Sequence, residues 1–247
     1  MRRYGLIGRP LGHSASAARF GERFSREGID AEYRLYELPT IGELPALLAA
    51  TPDLAGLNVT IPYKQAVLPY LDALTYEAEA VGAVNCIRRE ADGRLAGHNT
   101  DVEGVRVSLD LLLGAEQPEE ALVLGTGGAS QAVQYVLAER GIPYALVSRT
   151  AGKGNYTYDD LPTEAVERSR LVVNASPVGM WPDVDRAPRI PYAYVTPGHF
   201  LLDVVYNPPL TAFLDYGRQR GARTLGGGAM FEAQAEASWR FWNAPRL

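Results

Sequence analysis

Apolar positions recur along this chain at two spacings, every second residue over short runs and every third or fourth over longer ones, and the two alternate from end to end. Residues 4–7, 32–38 and 54–59 read as strands, and 81–88 as a fourth that Asp92-Gly93 turns into a hairpin with 94–97. Residues 14–27 carry helical spacing, with Ser14 or Ser16 placed to cap the start and Gly28 to stop the end. Thr40-Ile41-Gly42-Glu43 has the spacing of a capping box ahead of Leu44, Leu47 and Leu48. From Asp101 the character changes. Val102, Val105, Leu109 and Leu112 repeat as a helix as far as Gly114, the apolar run 121–124 leads into a helix over 129–140, and 144–147, 171–173 and 200–205 add strands. A last helix, about 229–241, aligns Met230, Ala233, Gln234, Ala237 and Phe241 on one face. This order predicts an α/β fold with parallel sheets in two parts divided near residue 101.

Composition narrows the function classes. A length of 247 residues fits one or two domains, and 47% apolar against 21% charged residues excludes a disordered or fibrous chain. Lys plus Arg number 24 and Asp plus Glu 29, a net charge of −5, which lacks the basic footprint of nucleic-acid binding. Cys86 alone cannot form an internal disulfide, and the three histidines have no zinc-ligand spacing. The basic start meets glycine and proline too soon for a signal-peptide core, and no run of roughly 18 apolar residues suggests a membrane span. The expectation is a cytoplasmic protein, monomer or homodimer, acting on a small molecule without nucleic-acid, membrane or metal partners.

Val123-Leu124-Gly125-Thr126-Gly127-Gly128-Ala129-Ser130 is a strand entering a glycine-rich turn and then a helix, the arrangement that brings backbone N–H groups and a helix dipole against a pyrophosphate. Ser130 stands where the usual fingerprint has its third glycine. At the end of the next strand, where an NAD site places an acid for the ribose hydroxyls, this chain has Ser148-Arg149-Thr150 followed by Lys153. A missing acid and two bases favour a 2′-phosphate, hence NADP over NAD.

Polar residues cluster elsewhere too. Ser14 and Ser16 stand at a strand-to-helix turn, where they either cap or grip a carboxylate. Asn58-Val59-Thr60-Ile61-Pro62-Tyr63-Lys64 ends a strand with Pro62 positioned to open a helix, which would put Lys64 in its first turn. A cation at that end of the dipole is misplaced for a structural residue and sensible for an acid–base group. Asp101 reads either as a helix-start acid or as a partner of Lys64, and Gln234 as a core amide or a ligand contact.

Taken together, these motifs resemble the shikimate dehydrogenase family over nearly the whole chain. Asn58 through Lys64 carries the resemblance most specifically, with Gly82-Ala83-Val84-Asn85, Asn99-Thr100-Asp101, the glycine turn, Ser148-Arg149-Thr150, Asn174-Ala175-Ser176-Pro177-Val178-Gly179-Met180 and Asp203-Val204-Val205-Tyr206-Asn207-Pro208 in order. The resemblance implies an N-terminal substrate domain (1–101 plus 226–247) and a Rossmann-like NADP-binding domain (102–225), with the C-terminal helix returning to the first. It implies that Ser14 and Ser16 hold a substrate carboxylate, that Thr60, Lys64, Asn85, Asp101 and Gln234 hold ring hydroxyls with Tyr206 nearby, and that Lys64 is the acid–base residue with Asp101 beside it. Gly125, Thr126, Gly127, Gly128, Ala129, Ser130, Ser148, Arg149, Thr150 and Lys153 would hold NADP, and Val204 and Gly227 would line its nicotinamide. The implied reaction is reduction of 3-dehydroshikimate to shikimate with NADPH. A quinate/shikimate dehydrogenase using NAD and a non-enzymatic metabolite-binding module are the alternatives. The stretch 149–171 is short, leaving room for one helix at about 161–168 and an open adenine side.

Overall fold

The computed structural model describes residues 1–12 and 14–244; His13 and the last three residues lie outside the described residues. The chain forms two compact units, Met1–Thr100 with Ala235–Leu247, and Asp101–Gln234. Among the described residues, no helix is long and apolar enough to cross a membrane.

The first unit is built on a mixed six-stranded sheet in the order β2-β1-β3-β5-β6-β4. Its strands are β1 (Arg2–Gly8), β2 (Ala31–Glu37), β3 (Leu54–Val59), β4 (Ala73–Leu74), β5 (Cys86–Arg89) and β6 (Leu95–His98). β1 runs parallel to β2 and β3, and β5 turns back antiparallel to both β3 and β6. Because side chains alternate along a strand, the sheet buries two cores: Ile7, Leu57, Val59 and Ile87 on one face, Tyr4, Cys86 and Ala96 on the other. The helices of this stretch are α1 (Ser16–Glu27), α2 (Leu44–Ala50) and α3 (Tyr76–Val81).

The second unit carries a sheet in the order β12-β11-β10-β7-β8-β9, every neighbouring pair parallel. Its strands are β7 (Ala121–Leu124), β8 (Tyr144–Ser148), β9 (Tyr156–Thr157), β10 (Leu171–Asn174), β11 (Phe200–Asp203) and β12 (Arg223–Leu225). The helices are α4 (Asp101–Leu113), α5 (Gly128–Glu139), α6 (Thr163–Arg168), α7 (Ala212–Gln219) and α8 (Gly228–Asn243), the last running on into the first unit. Strand order reverses between β7 and β10, the switch point at which such sheets bind ligands.

Four local expectations fail for identifiable reasons. The helix α1 is capped by Ala15 rather than a serine; the Ser14 hydroxyl instead accepts the Ser16 N–H at 3.2 Å. Thr40 makes no side-chain cap, and a single 3-10 turn, Ile41–Glu43, precedes α2. Val81 closes α3, which Thr75 caps and Gly82 stops at φ 68°, so β5 starts only at Cys86. No helix begins at Pro62. The Lys64 carbonyl, which a helix would offer to residue 68, accepts the Val84 N–H at 2.7 Å instead, and Leu68 N–H bonds to Gln65 in a 3-10 turn, Leu68–Tyr70. Lys64 therefore stands on no helix dipole. The strands β4, β9 and β12 are too short to show a period, and the helix α7 also went unanticipated.

Within the first unit, α8 is seated by Trp242, whose indole N–H donates to the Ile87 carbonyl at 2.9 Å and whose ring covers Gly56 of β3. Tyr4, Phe20 and Tyr33 pack around that ring at centroid distances of 4.7, 5.2 and 6.4 Å. A methyl group at Gly56 would occupy the indole's place. Gly56→Ala is expected to lower stability by about 1–3 kcal/mol, the usual cost of overpacking, read as an earlier midpoint in denaturant. An unchanged midpoint would show that the indole seat yields without cost.

Candidate active site

In the first unit the strand ends gather the polar residues on one sheet edge. Ser14 and Ser16 follow β1, Thr60 and Lys64 follow β3, and Asn85 precedes β5, whose Cys86 pairs with Asn58 and with His98. Two backbone bonds lace the loops together: Val59 N–H to the Asn85 carbonyl at 2.8 Å and Val84 N–H to the Lys64 carbonyl at 2.7 Å. Thr60 is tied to β1 by its N–H to the Ile7 carbonyl at 2.9 Å. Lys64 is half-buried, and Ser14, Ser16 and Thr60 keep partial exposure.

Behind this edge lies a buried set of polar side chains. Asn58 Nδ2 donates to the Asn85 carbonyl at 3.2 Å and to Ser238 Oγ on α8 at 2.8 Å, and Asn58 Oδ1 accepts from the Tyr33 hydroxyl at 2.9 Å. Asn85 Oδ1 accepts the Thr100 N–H at 2.6 Å, and Asn85 Nδ2 donates to Thr100 Oγ1 at 3.0 Å. Thr100 Oγ1 and Ser238 Oγ are 3.1 Å apart. Burial pushes the Tyr33 hydroxyl well above the ordinary tyrosine value, with Ser16 hydrogen-bonded to it.

In the second unit the glycine turn follows β7. Gly125, at φ 115°, packs against the Ala175 carbonyl of the loop after β10, a conformation and clearance that suit glycine. Over Gly127 and Gly128 there is open space where a Cβ would stand. The helix α5 starts there with Gly127 as its cap, no side chain bonded to its first amides, and no acid in its first turn. Those bare N–H groups at the positive end of a dipole fit an anionic pyrophosphate. Ser130, in the third-glycine position, is buried and donates to the Gly125 carbonyl at 2.7 Å, so it stitches the turn to its helix. Thr126 and Ala129 flank the turn half-buried.

After β8, Ser148 is buried and accepts the Thr150 N–H at 3.1 Å, making a tight turn that leaves Arg149, Thr150 and Lys153 exposed. The hydroxyl of Tyr158 stands beside the Arg149 guanidinium and bonds to Ser176, while burial holds it above the ordinary tyrosine value. At the other side of the switch point, Gly227 sits against the Val204 carbonyl and its N–H bonds to the Val205 carbonyl at 3.0 Å. Tyr206 stacks on Phe231 at 4.7 Å, and Gln234 turns its amide onto the Phe231 carbonyl at 3.0 Å.

Residues 6–87 match the shikimate dehydrogenase substrate binding domain. A shikimate dehydrogenase (NADP(+)) from Halothermothrix orenii is 36% identical, the alignment covering 96% of this chain and 89% of that protein. The chain belongs to the shikimate dehydrogenase family. Among solved structures of that family, the Thermus thermophilus shikimate 5-dehydrogenase in complex with NADP(H) and shikimate is 31% identical, with a TM-score of 0.85 over 98% of this chain and 93% of that one. A quinate dehydrogenase from Corynebacterium glutamicum in complex with NAD is similar as well, at 29% identity and TM-score 0.87 over 98% and 93% of the two chains. The two α/β halves expected from the sequence, one of them Rossmann-like, are those of shikimate dehydrogenase structures.

Three polar residues of this shikimate dehydrogenase family member were missed in the sequence: the half-buried Tyr33, the buried Ser238, and the buried Asp203, read only within a longer motif. Asp203 ends β11 fully buried, its carboxylate accepting from Thr211 Oγ1 at 2.6 Å, the Val205 N–H at 3.0 Å and Asn174 Nδ2 at 3.0 Å. Burial raises its pKa from 3.8 to about 6 against the lowering effect of these donors. A folded value above the unfolded one means that this carboxyl stabilises most below pH 3.8 and loses that contribution as pH rises through about 6. Between pH 5 and 7.5 the parent should therefore lose about 1–2 kcal/mol of stability relative to Asp203→Asn. Denaturant unfolding of both proteins at the two pH values checks this; parallel behaviour would mean that Asp203 does not titrate in that window.

Proposed function

We propose that the protein reduces 3-dehydroshikimate to shikimate with NADPH, a step toward chorismate and the aromatic amino acids, acting in the cytoplasm as a monomer or homodimer. The observation that carries this reading is the chain-length likeness to enzymes named for that activity. The bare glycine turn at α5 and a lysine laced beside Asn85 support it.

Gly125, Thr126, Gly127, Gly128, Ala129 and Ser130 would hold the pyrophosphate at the N-terminus of α5. Ser148 and Thr150 shape the turn that offers Arg149 and Lys153 to the 2′-phosphate, while Val204 and Gly227 would wall the nicotinamide. NADPH supplies the hydride when bound. Ser14 donates its hydroxyl to the substrate carboxylate, and Ser16, whose N–H holds the Ser14 oxygen, stands beside it. Thr60, Asn85, Tyr206 and Gln234 hold the ring hydroxyls and fix the ring's orientation. Lys64 holds a proton at Nζ and delivers it to the ketone oxygen as negative charge develops there, with Asp101 as the carboxylate of the pair. General acid catalysis of this kind is worth roughly 10²–10⁴ in rate.

Assays with shikimate or quinate and with NADP or NAD, followed at the nicotinamide absorbance, test the reading: turnover of shikimate with NADP is expected, and quinate with NAD as the faster pair would replace it. Lys64→Ala should lower kcat by about 10²-fold or more while KM for shikimate changes little, because proton transfer acts in the transition state. Near-normal kcat with weakened binding would make Lys64 a substrate anchor. Arg149→Ala should raise KM for NADP roughly ten- to hundredfold, the worth of one charge-assisted contact, and leave NAD almost untouched. Equal losses with both cofactors would show that Arg149 does not read the 2′-phosphate.

A further inference from the structure

Most of the polar set of the first unit has a direction that follows from its fixed donors and acceptors. The Asn85 carbonyl can only accept, so Asn58 must face it with Nδ2 and present Oδ1 to Tyr33. The Tyr33 proton is thereby spent on Asn58, which makes Ser16 the donor in the Ser16–Tyr33 bond. On the other side, the Thr100 N–H can only donate, which fixes Asn85 Oδ1 toward it and Nδ2 toward Thr100 Oγ1. Ser238 Oγ accepts from Asn58 and shares a hydrogen bond with Thr100 Oγ1, in which either hydroxyl can donate. The bonds run in one sense from Ser16 to Tyr33 to Asn58 to Ser238, and Ser238 joins Thr100, which holds both polar atoms of the Asn85 side chain.

Ser238 is the junction of this chain. It is fully buried, and its single hydroxyl joins the end of β3, the residue before α4, and the helix α8 that also carries Gln234 one turn earlier. We infer that Ser238 is a positioning residue for substrate binding: it holds Asn85 through Thr100 and Asn58, and Tyr33 locks the far end of the same chain beside Ser16. The inference rests on the proposed reading that Asn85 contacts shikimate and that Ser16 stands beside Ser14 at its carboxylate. Neither Ser238 nor Tyr33 touches substrate in this scheme. Each acts by leaving the contacting side chains one orientation, which spares the ordering cost on binding.

The experiment compares the full-length parent with Ser238→Ala, Tyr33→Phe and the double variant, measuring kcat, KM for shikimate, KM for NADP and the melting temperature of each. Ser238→Ala is expected to raise KM for shikimate about five- to tenfold with KM for NADP within about twofold, and Tyr33→Phe to move the same constant in the same direction. Because both act through Asn58, the double variant should fall short of the product of the single effects. A lower melting temperature with KM for shikimate unchanged in both variants would overturn the inference, leaving the chain a structural feature only. Effects that multiply in the double variant would overturn the coupling through Asn58. Should Ser238→Ala fail to fold, Tyr33→Phe alone decides by the same split between the two KM values. A parent that does not oxidise shikimate would overturn the proposed function and this inference together, an outcome distinct from an active parent with indifferent variants.

Discussion

The seat of α8 on the first sheet is the contact from which the substrate side of this protein is built. Residues more than 150 positions apart in sequence meet there: the Trp242 indole on the Ile87 carbonyl and the Ser238 hydroxyl under Asn58. Both are buried hydrogen bonds, and burial makes them exacting. A donor or acceptor left without a partner in that place costs about 1–3 kcal/mol, so the helix has essentially one register in which every group is satisfied. The aromatic cluster of Tyr4, Phe20, Tyr33 and Trp242 supplies the apolar area, and the amide and hydroxyl bonds select the arrangement. Gly56 is the local concession that makes the seat possible, since any side chain there would stand in the indole's place.

The second unit solves a different problem with similar means. Its parallel strands β7, β8, β10 and β11 end on one edge, where the loops must be rigid enough to hold a dinucleotide and yet leave backbone amides bare. Rigidity comes from side chains turned back on the backbone, Ser130 on Gly125 and Ser148 on Thr150, and from Asn174 and Thr211 on the Asp203 carboxylate. Bare amides come from glycine, with open space over Gly127 and Gly128 and no acid in the first turn of α5. The basic residues Arg149 and Lys153 remain exposed on the turn after β8, so any attraction they exert acts through solvent and weakens with salt.

Asp203 shows what this rigidity costs. A carboxylate with three donors would ordinarily ionise easily, yet its full burial outweighs them and the group titrates near neutrality, at about 6. It keeps its place because the three donors come from three segments, the end of β10, the turn after β11 and the start of α7, which no apolar side chain could tie together.

The sequence by itself determined the division into two α/β halves, most of the strands and long helices, the glycine turn with its basic companions, and the family. These are readable because they depend on periodicity, on backbone freedom at glycine, and on the order of motifs, all of which are properties of neighbours along the chain. It misplaced Lys64 on a helix because the competing bond, Val84 N–H to the Lys64 carbonyl, comes from a segment twenty residues away. For the same reason it passed over Ser238, an ordinary helix residue whose partners Asn58 and Thr100 lie on other elements, and Tyr33, an ordinary strand residue until Ser16 and Asn58 are brought to its hydroxyl. Which polar groups are buried, and what satisfies each of them, was decided only by tertiary structure, because hydrogen-bond satisfaction is a condition on the whole packed unit rather than on any stretch of chain.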